Sequence, residues 1–494
     1  MDDMAPHTTA KGLDLKDASL LNTNAFINGE WVDTGRRFDV FNPADGSLVA
    51  EVADCDRDTV KRAIAAADAA RGEWAARTAL DRSKILRAWG DLMMENVDDL
   101  ALILTSEMGK AITEAKGEIA YGASFIHWFA EEARRIYGDI IPGHQPDKRL
   151  LVMKQPVGVA ASITPWNFPN AMIARKVAPA LAAGCAFVAR PAELTPLSAL
   201  SMAVLAERAG VPAGVINVTP SSNSSETGKE FCENPTVRKL TFTGSTRVGS
   251  ILMAQCAPQI KKLSLELGGN APFIVFDDAD LDKAVEGAMI AKFRNSGQTC
   301  VCANRIYAQK GVYEAFTEKL TAAVKALKVG DGREASTQIG PLINEAAVKK
   351  VEEHVADALE HGAELMTGGQ RIGGTDALYY EPTVVKNVGG DMRLMSEETF
   401  GPLAPVIPFD TEEEAIAMAN DTEFGLAAYF FAKDLSRCFR VAEALESGMV
   451  GVNTGLVSTT EAPFGGVKLS GLGREGSKYG IDEYLEMKYA CFSV

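Results

Sequence analysis

The chain has 494 residues, 47% of them apolar and 23% charged, with a formal net charge of −16. That length and composition describe a globular protein of roughly two to four domains with a large buried core. The acidic balance argues against a nucleic-acid surface, which needs clustered Lys and Arg, although local basic pockets for anions remain possible.

No apolar run reaches the ~18 residues of a membrane span, and the best candidate, 171–188, is broken by Arg175 and Lys176. The leader MDDMAPHTTAKGLDLKD has no apolar core and no arginine, unlike secretory or mitochondrial targeting segments. A cytoplasmic location without membrane contact is therefore the expectation. Eight cysteines are too dilute for a disulfide scaffold, and no CxxC pair or neighbouring His gives metal-ligand spacing. The five histidines (His7, His127, His144, His354 and His361) sit in no motif and read as surface or packing residues. Their scarcity weakens every Cys–His or Ser–His hydrolase reading.

In chain order, FINGEWV and FDVFNPADGSLVAEV read as short strands within residues 1–60. From 57 to 136 the pattern is helical, with Arg82, Ile85, Leu86, Trp89, Leu92 and Met93 forming a stripe at three- and four-residue steps. Between 150 and 257, strand-like runs (VGVAASIT, CAFVAR, GVINVTP, VRKLTFTG) alternate with helices predicted over 169–183, 196–210, 224–233 and 245–257. That alternation implies an α/β fold with a doubly wound parallel sheet, whose ligands bind at the carboxyl ends of the strands. A second α/β block follows Gly269, with helices near 280–295, 311–327, 344–361 and 434–446. RLLVMKQPV at 149–157 and the terminal YLEMKYACFSV lack local partners, so they are expected to pair with each other or with another subunit.

A literal GxGxxG occurs at Gly471, Gly473 and Gly476, but a dinucleotide fingerprint needs a βαβ unit after it and the sequence runs only to Val494. It reads as a turn-rich loop between domains. The stronger phosphate site is KLTFTGSTRVG, where a strand ends at Thr243, Gly244 turns the backbone and Ser245 caps the next helix. An ordinary βα turn is the alternative there. The chemical centre is Gly297-Gln298-Thr299-Cys300-Val301-Cys302, a cysteine in a polar turn after a helix. Glu266, at the end of a strand before paired glycines, and Asn167, in TPWNFP after Thr164, favour a catalytic over an inert cysteine.

With these segments the sequence resembles the aldehyde dehydrogenase superfamily from about Phe26 to Cys491, through PWNFP, FTGS, LELGGNAP, GQTC, EETFGP and PFGG in that order. KFRNSGQTCVCANR and SGLGREGSKYGIDEYLE look like its succinate-semialdehyde dehydrogenase branch. The resemblance implies a dinucleotide-binding domain over 20–136 and 155–267, a catalytic domain over 268–465, and small β oligomerisation strands over 137–154 and 480–494 that build a homodimer or homotetramer. It implies that Cys300 attacks the aldehyde, that the Asn167 amide and the Cys300 N–H hold the oxyanion, and that Glu266 activates the water that hydrolyses a thioester.

For the cofactor it implies Trp166, Gly244 and Ser245 flanking the pyrophosphate, Glu398 and Phe400 near the nicotinamide ribose, Arg190 with Glu193 beside the adenine ribose, and Thr164 and Leu267 as further cofactor-binding residues. A carboxylate at Glu193 favours NAD over NADP, while Arg190, where the family usually has Lys, could partly compensate a 2′-phosphate. Arg175, Arg294 and Ser458 match positions that hold a substrate carboxylate, the alternative being structural ion pairs. Succinate semialdehyde is thus the expected substrate and glutarate semialdehyde the runner-up. Cys302 either forms a reversible redox disulfide with Cys300 or packs. A cysteine acyl-hydrolase without cofactor, or a structural protein of the same fold, are the competing classes.

Overall fold

The computed structural model describes residues 13–494, so His7 and most of the polar leader lie outside the described residues. Five strands form the centre of an eight-stranded sheet: Val159–Ile163, Ala186–Arg190, Ile216–Val218, Val237–Thr243 and Lys262–Glu266. All four pairings between them are parallel, and the strands lie in the spatial order third, second, first, fourth, fifth. The chain therefore reverses its winding direction between Val159–Ile163 and Val237–Thr243, the switch point at which α/β sheets open a crevice. Both faces are covered by helices, which is why Val159–Ile163 and Ala186–Arg190 are buried at every position.

The helices Ala171–Ala183, Leu197–Arg208, Ser224–Glu233 and Thr246–Cys256 fall within two residues of their expected bounds. On the N-terminal side, helices Arg57–Ala76, Ala79–Glu95, Val97–Met108 and Ile112–Glu132 pack as a layer. Leu86, Trp89 and Met93 are buried along the expected stripe. Arg82 is buried with them because its guanidinium donates to the Ala182 carbonyl at 3.2 Å and to that of Arg77 at 2.6 Å.

A second, seven-stranded sheet carries the later α/β block, with Leu403–Phe409, Ala303–Gln309 and Ala271–Val275 at its centre and the short strand Glu364–Thr367 antiparallel at one edge. The two orphan strands do find each other. Leu485–Ser493 pairs antiparallel with Lys148–Pro156 over nine residues, and Asp139–Ile141 adds a third strand. The GxGxxG segment departs from its expectation as a loop only: Gly471–Leu472 pairs with Leu265 and Glu266 at the open edge of the first sheet. Backbone pairing at an open edge requires no side-chain alternation, so pattern alone could not show it.

Helix Arg57–Ala76 is locked to helix Ala171–Ala183 by Trp74, 1% exposed, whose indole N–H donates to the Leu181 carbonyl at 3.0 Å. Trp74→Ala should lower unfolding stability by about 3–5 kcal/mol through cavity formation. Urea denaturation checks this, and a change under ~1 kcal/mol would mean the neighbours close over the void.

Candidate active site

The carboxyl ends of the two switch-point strands face one cavity of about 250 Å3. Its walls include Trp166 and Asn167 after the first strand, Gly244 and Ser245 after the fourth, and Glu266, which ends the fifth, with Leu267 after it. Cys300, Glu398, Phe400 and Lys350 close it from the second α/β block. Residues predicted separately for catalysis and for cofactor binding thus share one space.

Ser245 caps helix Thr246–Cys256, its Oγ accepting the Val248 N–H at 3.4 Å, so the positive end of that helix opens on the cavity. Gly244 is needed for a different reason from the one expected. Its φ is not positive; a Cβ there would come 2.5 Å from the Phe242 ring, so glycine serves close packing.

Cys300 follows three consecutive left-handed residues, Asn295, Ser296 and Gly297, at φ values of 53°, 56° and 76°. A Cβ on Gly297 would fall 2.2 Å from the Gly401 carbonyl oxygen, so this loop and the 398–401 loop touch through backbone. Cys300 is half-buried, whereas Cys302 is buried behind it with its thiol toward the Gly297 carbonyl at 3.2 Å and the Lys292 carbonyl at 3.4 Å. Burial pushes the Cys300 thiol up to about 12, against the opposing pull of the Arg175 charge.

Glu266 is buried and neither carboxyl oxygen has a hydrogen-bond partner. Burial, and then the nearby Glu475 carboxylate, hold its pKa well above the ordinary value. Asn167 donates from Nδ2 to the Gln298 carbonyl at 3.0 Å. An amide NH2 has two hydrogens, which leaves one for a second acceptor. The Cys300 backbone N–H enters none of the turn hydrogen bonds of this loop.

The two candidate substrate arginines differ. Arg175 is buried, stacked over the Phe464 ring and ion-paired with Glu475, the structural role weighed as its alternative; yet its Nη2 has no partner. Arg294 forms no ion pair among the described residues and lies 5.5 Å from the Phe168 ring centroid. Ser458 is half-buried and away from the cavity walls. Thr164, Arg190 and Glu193 also lie outside the lining. Arg190 is buried and donates to Glu193 at 2.9 Å and to the Ser221 carbonyl at 3.0 Å, and the Thr164 N–H donates to the Arg190 carbonyl at 3.2 Å.

Several residues here escaped sequence reasoning. Lys110 and Glu118 form a fully buried ion pair; Lys110 also donates to the Asn167 carbonyl at 2.9 Å. Glu118 accepts the Asn170 and Ala171 N–H groups at 2.9 and 3.2 Å, capping helix Ala171–Ala183. Glu114, one turn earlier, accepts the Asn295 N–H at 3.1 Å. Their i, i+4 spacing in Ile112–Glu132 was visible, but a carboxylate pair on a helix reads first as a solvated face. Lys176 joins Arg175 on Glu475, and Lys350 faces the cavity beside Glu398 with no ion pair among the described residues.

A helix N-terminus, an aromatic ring, an apolar wall and a carboxylate around one crevice are a donor set suited to a dinucleotide. Residues 31–490 match the model described as the aldehyde dehydrogenase family. The chain is 62% identical over 484 residues to a glutarate-semialdehyde dehydrogenase of Pseudomonas putida, covering 98% of this chain and all of that one. It is 60% identical over 484 residues to the NADP(+) succinate-semialdehyde dehydrogenase GabD of Escherichia coli, covering 97% and 100%. The crystal structure of an aldehyde dehydrogenase from Brucella melitensis biovar abortus 2308 superposes with a TM-score of 0.96 at 61% identity, over 98% of this chain and 99% of that one. A cysteine, a carboxylate and an amide gathered at a switch-point crevice, in a chain alike over nearly its full length, make this protein a member of the aldehyde dehydrogenase family.

Proposed function

We propose that the protein oxidises succinate semialdehyde to succinate with NAD(P)⁺, through a thiohemiacetal and then a thioester on Cys300. The observation that carries the substrate is the unpaired cation at Arg294, joined by the unpartnered Nη2 of Arg175, in a chain of net charge −16. Buried or half-buried guanidinium N–H groups without acceptors favour an anionic tail, and two forks suit a carboxylate.

In this reading the Cys300 thiolate attacks the aldehyde carbon, and the Asn167 amide with the Cys300 N–H stabilises the alkoxide that forms. NAD(P)⁺ bound along the crevice supplies the hydride acceptor. Glu266 then takes a proton from the water that cleaves the thioester, its two unpartnered oxygens being free to hold that water. Trp166, Gly244, Ser245 and Leu267 are the residues for the pyrophosphate side, and Glu398 and Phe400 for the nicotinamide ribose.

We infer NAD⁺ as the favoured cofactor, because Arg190 is already neutralised by Glu193 and the half-exposed Glu193 carboxylate opposes a 2′-phosphate. The NADP(+) in the name of the E. coli relative supports the other preference. Glutarate semialdehyde is the second reading, supported by the name of the P. putida relative. One methylene is worth only ~1–3 kcal/mol of discrimination. For assembly, Ile140, Met487, Tyr489, Phe492 and Val494 expose apolar surface on the three-stranded sheet, which supports self-association there.

Three outcomes follow. Absorbance at 340 nm should rise with succinate or glutarate semialdehyde and either cofactor, and Cys300→Ala should abolish it while Glu266→Gln leaves a single-turnover burst that stalls at the thioester. Without such a burst, Glu266 is not the hydrolytic base. Arg294→Met should raise KM for the semialdehyde by about 10–100-fold, the loss of a charged hydrogen bond, and leave propionaldehyde nearly unaffected. Equal effects on both aldehydes would remove the carboxylate role. Because the folded Cys300 pKa is raised, its thiolate fraction is still climbing at alkaline pH. Alkylation of Cys300 by iodoacetamide should therefore accelerate about tenfold per pH unit from 7 to 10. A plateau near 8.5, the ordinary thiol value, would show that the thiol is unperturbed.

A further inference from the structure

Among the described residues His354 is the one histidine held at full burial, on helix Glu345–Glu360 one turn after the cavity-lining Lys350. Its Nδ1 lies 3.1 Å from Thr399 Oγ1 and its Nε2 3.2 Å from a Glu397 carboxylate oxygen. A carboxylate only accepts, so the ring carries its proton on Nε2, and Nδ1 accepts the Thr399 hydroxyl hydrogen. Burial keeps the ring neutral by lowering its pKa.

These two bonds straddle Glu398. On one side Glu397 is held further by Arg393, at 3.0 and 3.2 Å. On the other, Phe400 adopts φ = 55°, a conformation that a bulky side chain keeps only when its surroundings over-determine it. Glu398 itself has one protein hydrogen bond, from the Gly269 N–H at 3.2 Å. The same helix supports the next residue, since a Cβ on Gly401 would come 2.4 Å from Val351 Cγ2. Gly401 in turn touches Gly297 of the nucleophile loop.

We propose that His354 is a positioning residue for the oxidation: its two hydrogen bonds set the backbone of residues 397–400, and so aim Glu398 and Phe400 at the bound nicotinamide half of the cofactor. This rests on the cofactor assignment of Glu398 and Phe400 above. His354 touches neither substrate nor cofactor; it acts through the loop. A histidine that merely fills space would be replaceable by an apolar residue of similar size without a selective kinetic effect.

The test uses the full-length enzyme with saturating semialdehyde, with the active fraction normalised by Cys300 alkylation. His354→Leu should raise KM for the nicotinamide cofactor about tenfold and lower kcat, with KM for the aldehyde changed less than about twofold. His354→Gln keeps an N–H for Glu397 and should recover most of the loss. Thr399→Val should give part of it, and less than additively when combined with His354→Leu. An unchanged cofactor KM in folded His354→Leu, or equal shifts in both KM values, overturns the proposal. Should His354→Leu fail to fold, an unchanged cofactor KM in both His354→Gln and Thr399→Val overturns it. Glu398→Ala separates the two levels: if it raises cofactor KM while the His354 variants do not, only the positioning role fails. If Glu398→Ala also leaves it unchanged, the cofactor assignment of the loop fails.

Discussion

The arrangement of this site depends on a buried charge, the carboxylate of Glu118. It is compensated by Lys110 and by the N-terminus of helix Ala171–Ala183, both reached from helix Ile112–Glu132. Removing one partner of such a pair costs about 3–5 kcal/mol, since the other charge is left buried and unpaired. The pair therefore fixes where the helix after the first switch-point strand begins. Lys110 carries that constraint to the Asn167 carbonyl, and Glu114 extends it to the Asn295 N–H. One helix thereby sets the amide and the nucleophile loop at a common height.

Around this frame the electrostatics run against the protein's net charge. Lys350 lines the cavity of this acidic chain, and Lys110, Arg175, Lys176 and Arg294 lie outside its lining, Lys110 on the Asn167 carbonyl and Arg175 with Lys176 on Glu475. The same burial that strengthens them disfavours the ionised forms of Cys300 and Glu266. Burial thus raises the proton affinity of both the thiol and the carboxyl.

Strain is distributed in the same way. Asn295, Ser296 and Phe400 all hold positive φ within two loops that meet at Gly297 and Gly401. Such residues cost about 1–3 kcal/mol each, and here the compensation comes from hydrogen bonds to Glu114, Gly340 and Thr399 rather than from local propensity. The 295–300 loop and the 398–401 loop are therefore mechanically continuous.

Much of this was legible in the sequence by itself. Strand–helix alternation between 150 and 257 specified the doubly wound sheet, because a buried parallel strand must be a short apolar run and its crossover an amphipathic helix. The cap at Ser245 was legible because capping chemistry is local, whereas Gly244, singled out for a turn, serves packing against Phe242. What the tertiary structure alone decided were relations between distant segments. Arg175 and Arg294 look alike in sequence, yet only one meets a carboxylate, supplied by Glu475 three hundred residues away. The Glu118, Glu114 and His354 contacts escaped for the same reason: a polar side chain on a helix looks solvated until its partner is known, and partners 45 to 181 residues distant leave no periodic trace. Periodicity records which face is buried, whereas the identity of what a buried polar group meets is fixed only when the chain has closed around it.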